Sequence, residues 1–137
     1  MMLACASGLA ADAAAPFRIA PDAMPSICLR DDLKPFVTRA AEDLAGDVER
    51  VFGMRPSIVT NGEASANAIV LVKAGSGFER YALASGPKNT LVISGSDDRG
   101  VMFGIYRFCS DFLGVDPFYF WSDLEPVRRT EQAWTDG

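Results

Sequence analysis

Four consecutive aromatics, Phe118-Tyr119-Phe120-Trp121, run into Ser122-Asp123 near the end of this chain, and they carry its densest pattern of chemically useful side chains. If the run is a strand, Phe118 and Phe120 point one way and Tyr119 and Trp121 the other. One pair then enters the core while the other meets a neighbouring domain or a ligand; the plainer alternative buries all four. The chain contains no histidine. That removes Ser-His and Cys-His nucleophile pairs, imidazole acid–base work and histidine metal sites. Two glycine-rich turns invite comparison with phosphate cradles. Gly75-Ser76-Gly77 lacks the third glycine of the dinucleotide fingerprint and enters a strand-like segment. Gly95-Ser96-Asp97-Asp98-Arg99-Gly100 has a strand–turn–helix context, but its two aspartates repel phosphate. Neither Asp97 nor Asp98 has the alternating spacing of a calcium loop. The three cysteines, Cys5, Cys28 and Cys109, form no CxxC pair, so they give neither a zinc site nor a disulfide framework. Cys28 and Cys109 read as buried thiols.

The element that must position the aromatic run is the helix before it. Val101, Ile105, Phe108 and Phe112 fall at i, i+4, i+7 and i+11, widened by Met102, Cys109 and Leu113. Ser96 or Asp97 serves as its N-cap, and Asp97 and Asp98 place negative charge at its positive end. Gly114 is the expected left-handed stop, with Pro117 preventing continuation. Gly100 and Gly104 lie one turn apart, so that face can approach a sheet closely. Arg99 either pairs with neighbouring Asp98 or anchors the turn through backbone carbonyls. Upstream, residues 17–20 and 26–30 read as short strands. Asp31 or Asp32 caps a helix over residues 33–52, whose apolar stripe is Val37, Ala40, Ala41, Leu44, Val48, Val51 and Phe52, ended by Gly53. Its other side carries Arg39, Glu42, Asp43, Asp47, Glu49 and Arg50, expected to be a solvated face. Strands follow at 56–60, at 68–73 (AIVLVK, apolar enough to be buried on both sides), at 79–84 and at 90–94. The expected fold is α/β, a mixed sheet of four or five strands with two long helices packed on one face.

At residues 95–126 the chain resembles a known family. GSDDRGVMFGIYRF followed by GVDPFYFWSDLEP is similar to the end of the N-terminal domain of family 115 glycoside hydrolases, the xylan α-1,2-(4-O-methyl)glucuronidases. Those carry a G-S-D-x-R-G turn, a helix containing G-I-Y, and G-V-x-P-W-Y-W-W-A-D-V-P. Gly95, Ser96, Asp97, Arg99, Gly100, Gly104, Ile105, Tyr106, Gly114, Val115, Pro117, Tyr119, Trp121 and Asp123 match. Phe118 and Phe120 stand where the family has tryptophan, and Ser122 where it has alanine. The resemblance implies an accessory domain over residues 17–126, of the kind that precedes a (β/α)8 barrel. Residues 127–137 would then be a tail leading to that barrel. It also implies a structural role for Ser96, Asp97, Arg99 and Gly100, and substrate contacts for Asp123, Trp121 and Tyr119. The family's catalytic acids belong to the barrel. This chain is too short for a barrel of about 250 residues, so the isolated chain is expected to be inactive. The parent enzyme would remove (4-O-methyl)glucuronic acid side chains from xylan by hydrolysis, with no organic cofactor and no metal. The alternative is a free-standing carbohydrate-binding or protein-interaction module.

Composition bounds these readings. The chain has 137 residues, enough to bury roughly two-thirds of its unfolded surface as one domain. A net charge of −5 argues against nucleic acid or an anionic membrane surface as partner. Only Arg128-Arg129 forms a basic pair, which reads as a solvated tail. Residues 1–16 resemble part of a secretory signal, which suggests a secreted or periplasmic protein; a flexible alanine-rich tail is the other reading. No stretch reaches the ~18–20 apolar residues of a membrane span.

Overall fold

The computed structural model describes residues 17–30, 32–62, 64–115 and 132–133. Its elements in chain order are β1 (Arg18–Ile19), β2 (Ile27–Leu29), α1 (Pro35–Phe52), β3 (Ile58–Thr60), β4 (Ile69–Lys73), β5 (Tyr81–Ser85), β6 (Leu91–Gly95), α2 (Asp98–Phe108) and β7 (Gln132–Ala133). Five strands form one sheet in the order β3-β2-β4-β6-β5. β3, β2, β4 and β6 are parallel, and β5 closes one edge antiparallel to β6. The mixed five-stranded sheet with two helices on one face is the architecture expected from the sequence. A separate pair joins β1 to β7, tying Arg18 to Ala133 and Ile19 to Gln132 in register.

Strand alternation sorts the sheet into two faces. Ile27, Ile69 and Leu91 stand side by side, as do Leu29, Leu71 and Ile93. All six are buried against Val37, Ala40, Leu44 and Val48 of α1 and Val101, Ile105 and Phe108 of α2. Each fully buried side chain of this size contributes about 1.5–3 kcal/mol, so this layer holds the fold. The opposite face carries Cys28, Val70, Val72, Val92 and Ser94, with Ala82 and Ala84 on the edge strand. The β4 segment is therefore buried less evenly than its apolar run predicts: Leu71 is enclosed, while Val72 is half-buried.

α1 begins two residues later than its pattern suggests, at Pro35, with Lys34 as N-cap and no side-chain cap. Proline suits this first position because its missing N–H would be unpaired there anyway. Gly53 ends the helix at φ 86° and donates its N–H to the Glu49 carbonyl. α2 runs into a π turn over Cys109–Leu113, and Gly114 stops it at φ 73°. Cys28 and Cys109 are buried free thiols. Phe112 stacks on Phe108 at 4.8 Å and approaches Phe17 at 6.4 Å, which seats the start of the described chain on the end of α2.

Candidate functional site at the carboxyl end of the sheet

The turn singled out by the sequence joins β6 to α2 at the carboxyl ends of the parallel strands. Asp97 is the N-cap: its Oδ1 accepts the Gly100 N–H at 2.8 Å. The same carboxylate accepts the Glu79 N–H at 3.1 Å, and the Ser96 hydroxyl oxygen accepts the Arg80 N–H at 3.0 Å. The Arg80 carbonyl in turn accepts the Ser96 N–H at 2.9 Å. Two adjacent polar residues thus stitch the turn to the β4–β5 loop. A Cβ on Gly100 would collide with the Arg80 carbonyl, and one on Gly104 would lie 2.7 Å from the Ile93 side chain. Glycine at both positions is what lets α2 lie on the sheet.

Arg99 takes neither of the roles expected of it. It pairs with Glu79 Oε2 at 3.3 Å, and its guanidinium lies 5.9 Å from the Phe103 ring centre. Asp98 turns the other way, into the molecule. Its Oδ1 accepts the Lys34 N–H at 2.9 Å and its Oδ2 meets Lys73 Nζ at 3.4 Å. Lys73 also reaches Asp32 at 3.9 Å. Partial burial works to raise the Asp98 pKa, but the Lys34 amide and the Lys73 ammonium outweigh it and hold the carboxyl below its usual range.

Arg39, Glu42, Asp43, Glu49 and Arg50 of α1 are exposed as expected, but Asp47 is buried in a polar seam between the helices, which corrects the expectation at that one position. Asp43 accepts a hydrogen bond from the Tyr106 hydroxyl at 3.0 Å. Asp47 is buried and pairs with Arg50 at 3.1 Å. Burial raises the Asp47 pKa, against hydrogen bonding from Cys109 and the charge of Arg50. Burial, then the field of Asp47, pushes the Cys109 thiol well above its ordinary value. Tyr106 is pushed up to about 12 by burial and by its bond to Asp43. A thiol kept protonated and a phenol kept neutral are poor nucleophiles, so the seam is built for cohesion. Among the described residues no group of three His, Cys, Asp or Glu side chains could hold a metal ion. No helix there is long and apolar enough to cross a membrane.

Tyr119, Trp121 and Asp123 lie outside the described residues. What sequence reasoning missed is the outer face of the sheet. A groove of about 410 Å³ opens there, floored by Val70, Val72 and Val92 and rimmed by Arg30 and Lys88. Phe78, in the loop stitched to the α2 turn, is 88% exposed. The alternation of Val70, Val72 and Val92 was the available signal, but it does not say whether a second layer covers them.

No family model matches the chain, and neither does any curated protein. Solved structures do. A family GH115 4-O-methyl-α-glucuronidase with specificity for decorated arabinogalactans shares the fold. It superposes with a TM-score of 0.67 at 19% identity, over 87% of this chain. The match spans only 17% of that glucuronidase. A GH138 enzyme targeting the pectin rhamnogalacturonan II is aligned over 78% of this chain and 15% of its own, at 15% identity and a TM-score of 0.43. The first likeness shows a distant structural relation to one part of a much longer glycosidase chain.

Proposed function

We propose that this chain is a non-catalytic accessory domain of a larger carbohydrate-active enzyme of the α-glucuronidase type, and that it docks on the catalytic body. The observation that carries the docking role is the open apolar face of the sheet. Parallel strands are almost always covered on both faces, and here one face has its two helices while the other presents valine and alanine to a groove. The choice of parent is supported by the family 115 pattern at residues 95–126 and by the likeness to part of a glucuronidase. In this reading residues 17–126 pack on a barrel, residues 127–137 lead toward it, and the parent releases (4-O-methyl)glucuronic acid from a polysaccharide such as glucuronoxylan. Asp123 then orients a sugar hydroxyl or a catalytic water, with Trp121 or Tyr119 against a sugar ring. The signal-like residues 1–16 fit a secreted enzyme.

The test is to express the chain with the coding sequence that follows it. Release of uronic acid from glucuronoxylan is then measured for that polypeptide, for the same polypeptide lacking residues 17–115, and for the 137-residue chain alone. Activity is expected only in the first. Release by the isolated chain, or undiminished activity and stability after the deletion, would overturn the proposal. Within the longer polypeptide, Asp123→Asn is expected to lower kcat at least tenfold with little change in melting temperature; a wild-type kcat removes Asp123 from the site.

A further inference from the structure

A second, smaller cleft of about 270 Å³ lies where the β4–β5 loop passes over the ends of β5 and β6. Ser76, Arg80, Ser94 and Ser96 supply its polar lining, with Gly75 and Ala82 beside them. The pleat explains how they converge. Leu91, Ile93 and Gly95 take the helix side of β6, so Ser94 projects to the outer face, with Ala82 and Val72 as its cross-strand neighbours. Alanine at 82 leaves the space beside the Ser94 hydroxyl open.

Arg80 is held in place without being neutralised. Its N–H and its carbonyl both bond to Ser96, which fixes its backbone. Its side chain lies against Gly77, where a Cβ would stand 3.1 Å from Nε, so glycine there makes room for the guanidinium. Arg18, Arg50, Arg55, Arg99 and Arg107 each hold a carboxylate. Arg80 holds none among the described residues, in a chain of net charge −5. No carboxylate lines the cleft either. Because Ser96 Oγ accepts the Arg80 N–H, its own hydrogen is left to donate elsewhere. The Ser76 and Ser94 hydroxyls have no partner among the described residues.

One planar guanidinium among three hydroxyls is suited to a singly charged carboxylate whose carrier also bears hydroxyls. The guanidinium takes the carboxylate oxygens as a fork, and the serines exchange hydrogen bonds with the remaining oxygen and the ring hydroxyls. A phosphate dianion would call for more positive charge than one arginine provides. The cleft lies outside the carboxyl ends of β4 and β6, beside the start of the antiparallel edge strand β5. We propose that this cleft binds a sugar acid, with Arg80 on its carboxylate and Ser76, Ser94 and Ser96 on its oxygens. The site is complete within this chain and does not depend on the accessory role proposed above.

The experiment is a ¹⁵N–¹H titration of the 137-residue chain with sodium D-glucuronate, with D-glucose, sodium acetate and inorganic phosphate run in parallel. Glucuronate is expected to shift amides at 75–82 and 94–96 saturably, glucose to leave them unmoved, and acetate to bind roughly fivefold or more weakly for want of its hydroxyl contacts. Arg80→Gln is expected to weaken glucuronate binding about tenfold or more, the effect of losing one charge-assisted pair. Ala82→Leu fills the cleft from an exposed edge position and should abolish binding while the dispersed spectrum of the folded chain is kept. The proposal falls if no saturable shift occurs in these segments, if Arg80→Gln or Ala82→Leu binds like the parent chain, if glucose shifts the same amides, or if phosphate binds more tightly than glucuronate.

Discussion

Asp98 accepts the backbone N–H of Lys34 across 2.9 Å, although the two residues are 64 positions apart in the chain. The carboxylate sits in the first turn of α2 and the amide at the N-cap of α1, so one side chain serves the positive ends of both helices. Lys73, at the end of β4, completes the arrangement from the sheet.

Removing that charge should therefore be felt throughout the fold. Asp98→Asn is expected to cost about 1.5–3 kcal/mol at pH 7, the range for a hydrogen bond to a charged group. Because the folded pKa is depressed, the contribution is present above the unfolded value of about 3.9 and is lost as pH falls through the folded one. Urea unfolding of both proteins between pH 7 and pH 2 measures the gap. It should shrink below about pH 4 and close at the acid end; a gap that stays constant refutes the charge assignment.

Asp47 carries the opposite sign. Its pKa is raised by burial, so its protonated form favours the folded state and that stability is lost as pH rises through the folded pKa. Asp47→Asn escapes this loss. The stability of the variant relative to the parent chain should increase on going from pH 3 to pH 7, followed by thermal unfolding in matched buffers. A relative stability that decreases over that interval would show that Arg50 and Cys109 outweigh desolvation.

Two glycines in helices should respond in opposite directions. Gly104→Ala drives a methyl to 2.7 Å from Ile93 and 3.3 Å from Tyr81, and is expected to destabilise by about 1–3 kcal/mol. Gly46→Ala meets only the ends of Arg50 and Arg55 at 3.5 and 3.6 Å, and should stabilise by about 0.5–1 kcal/mol. Urea midpoints decide both, and equal effects at the two sites would contradict the close seating of α2.

The two faces of the sheet should differ just as sharply. Val92→Lys, on the outer face, should change the isolated chain by no more than about 1 kcal/mol, whereas Ile93→Lys should abolish folding by burying an unpaired charge. Circular dichroism melts read the difference. If the outer face docks on a catalytic body as proposed, Val92→Lys in a polypeptide carrying both should lower its melting temperature; no change there would count against that docking surface.

Much of this architecture was legible in the residues. The 3.6-residue spacing of Val101, Ile105 and Phe108 marked α2, and the alternation in TLVIS marked β6. Gly53 and Gly114 marked the helix ends because a left-handed residue is needed there. The misses share one cause, which is partnership across long sequence separations. The Lys34 N–H bonds to a carboxylate that no local rule associates with it, and Asp47 reads as solvated because nothing nearby in sequence announces Cys109. Arg99 found Glu79 through a loop whose path only the folded chain defines. The Arg80 cleft was hidden for the same reason, since Ser76 and Arg80 come from one segment and Ser94 and Ser96 from another.

The antiparallel pairing of Arg18–Ile19 with Gln132–Ala133 brings opposite ends of this unit to one spot. A domain clasped in that way can be inserted into a loop of a host protein with little stretching of the host, because the gap it must bridge is no wider than two neighbouring strands. Its entry and exit share a doorway, so a pull on the flanking polypeptide loads that short clasp before it reaches the five-stranded sheet.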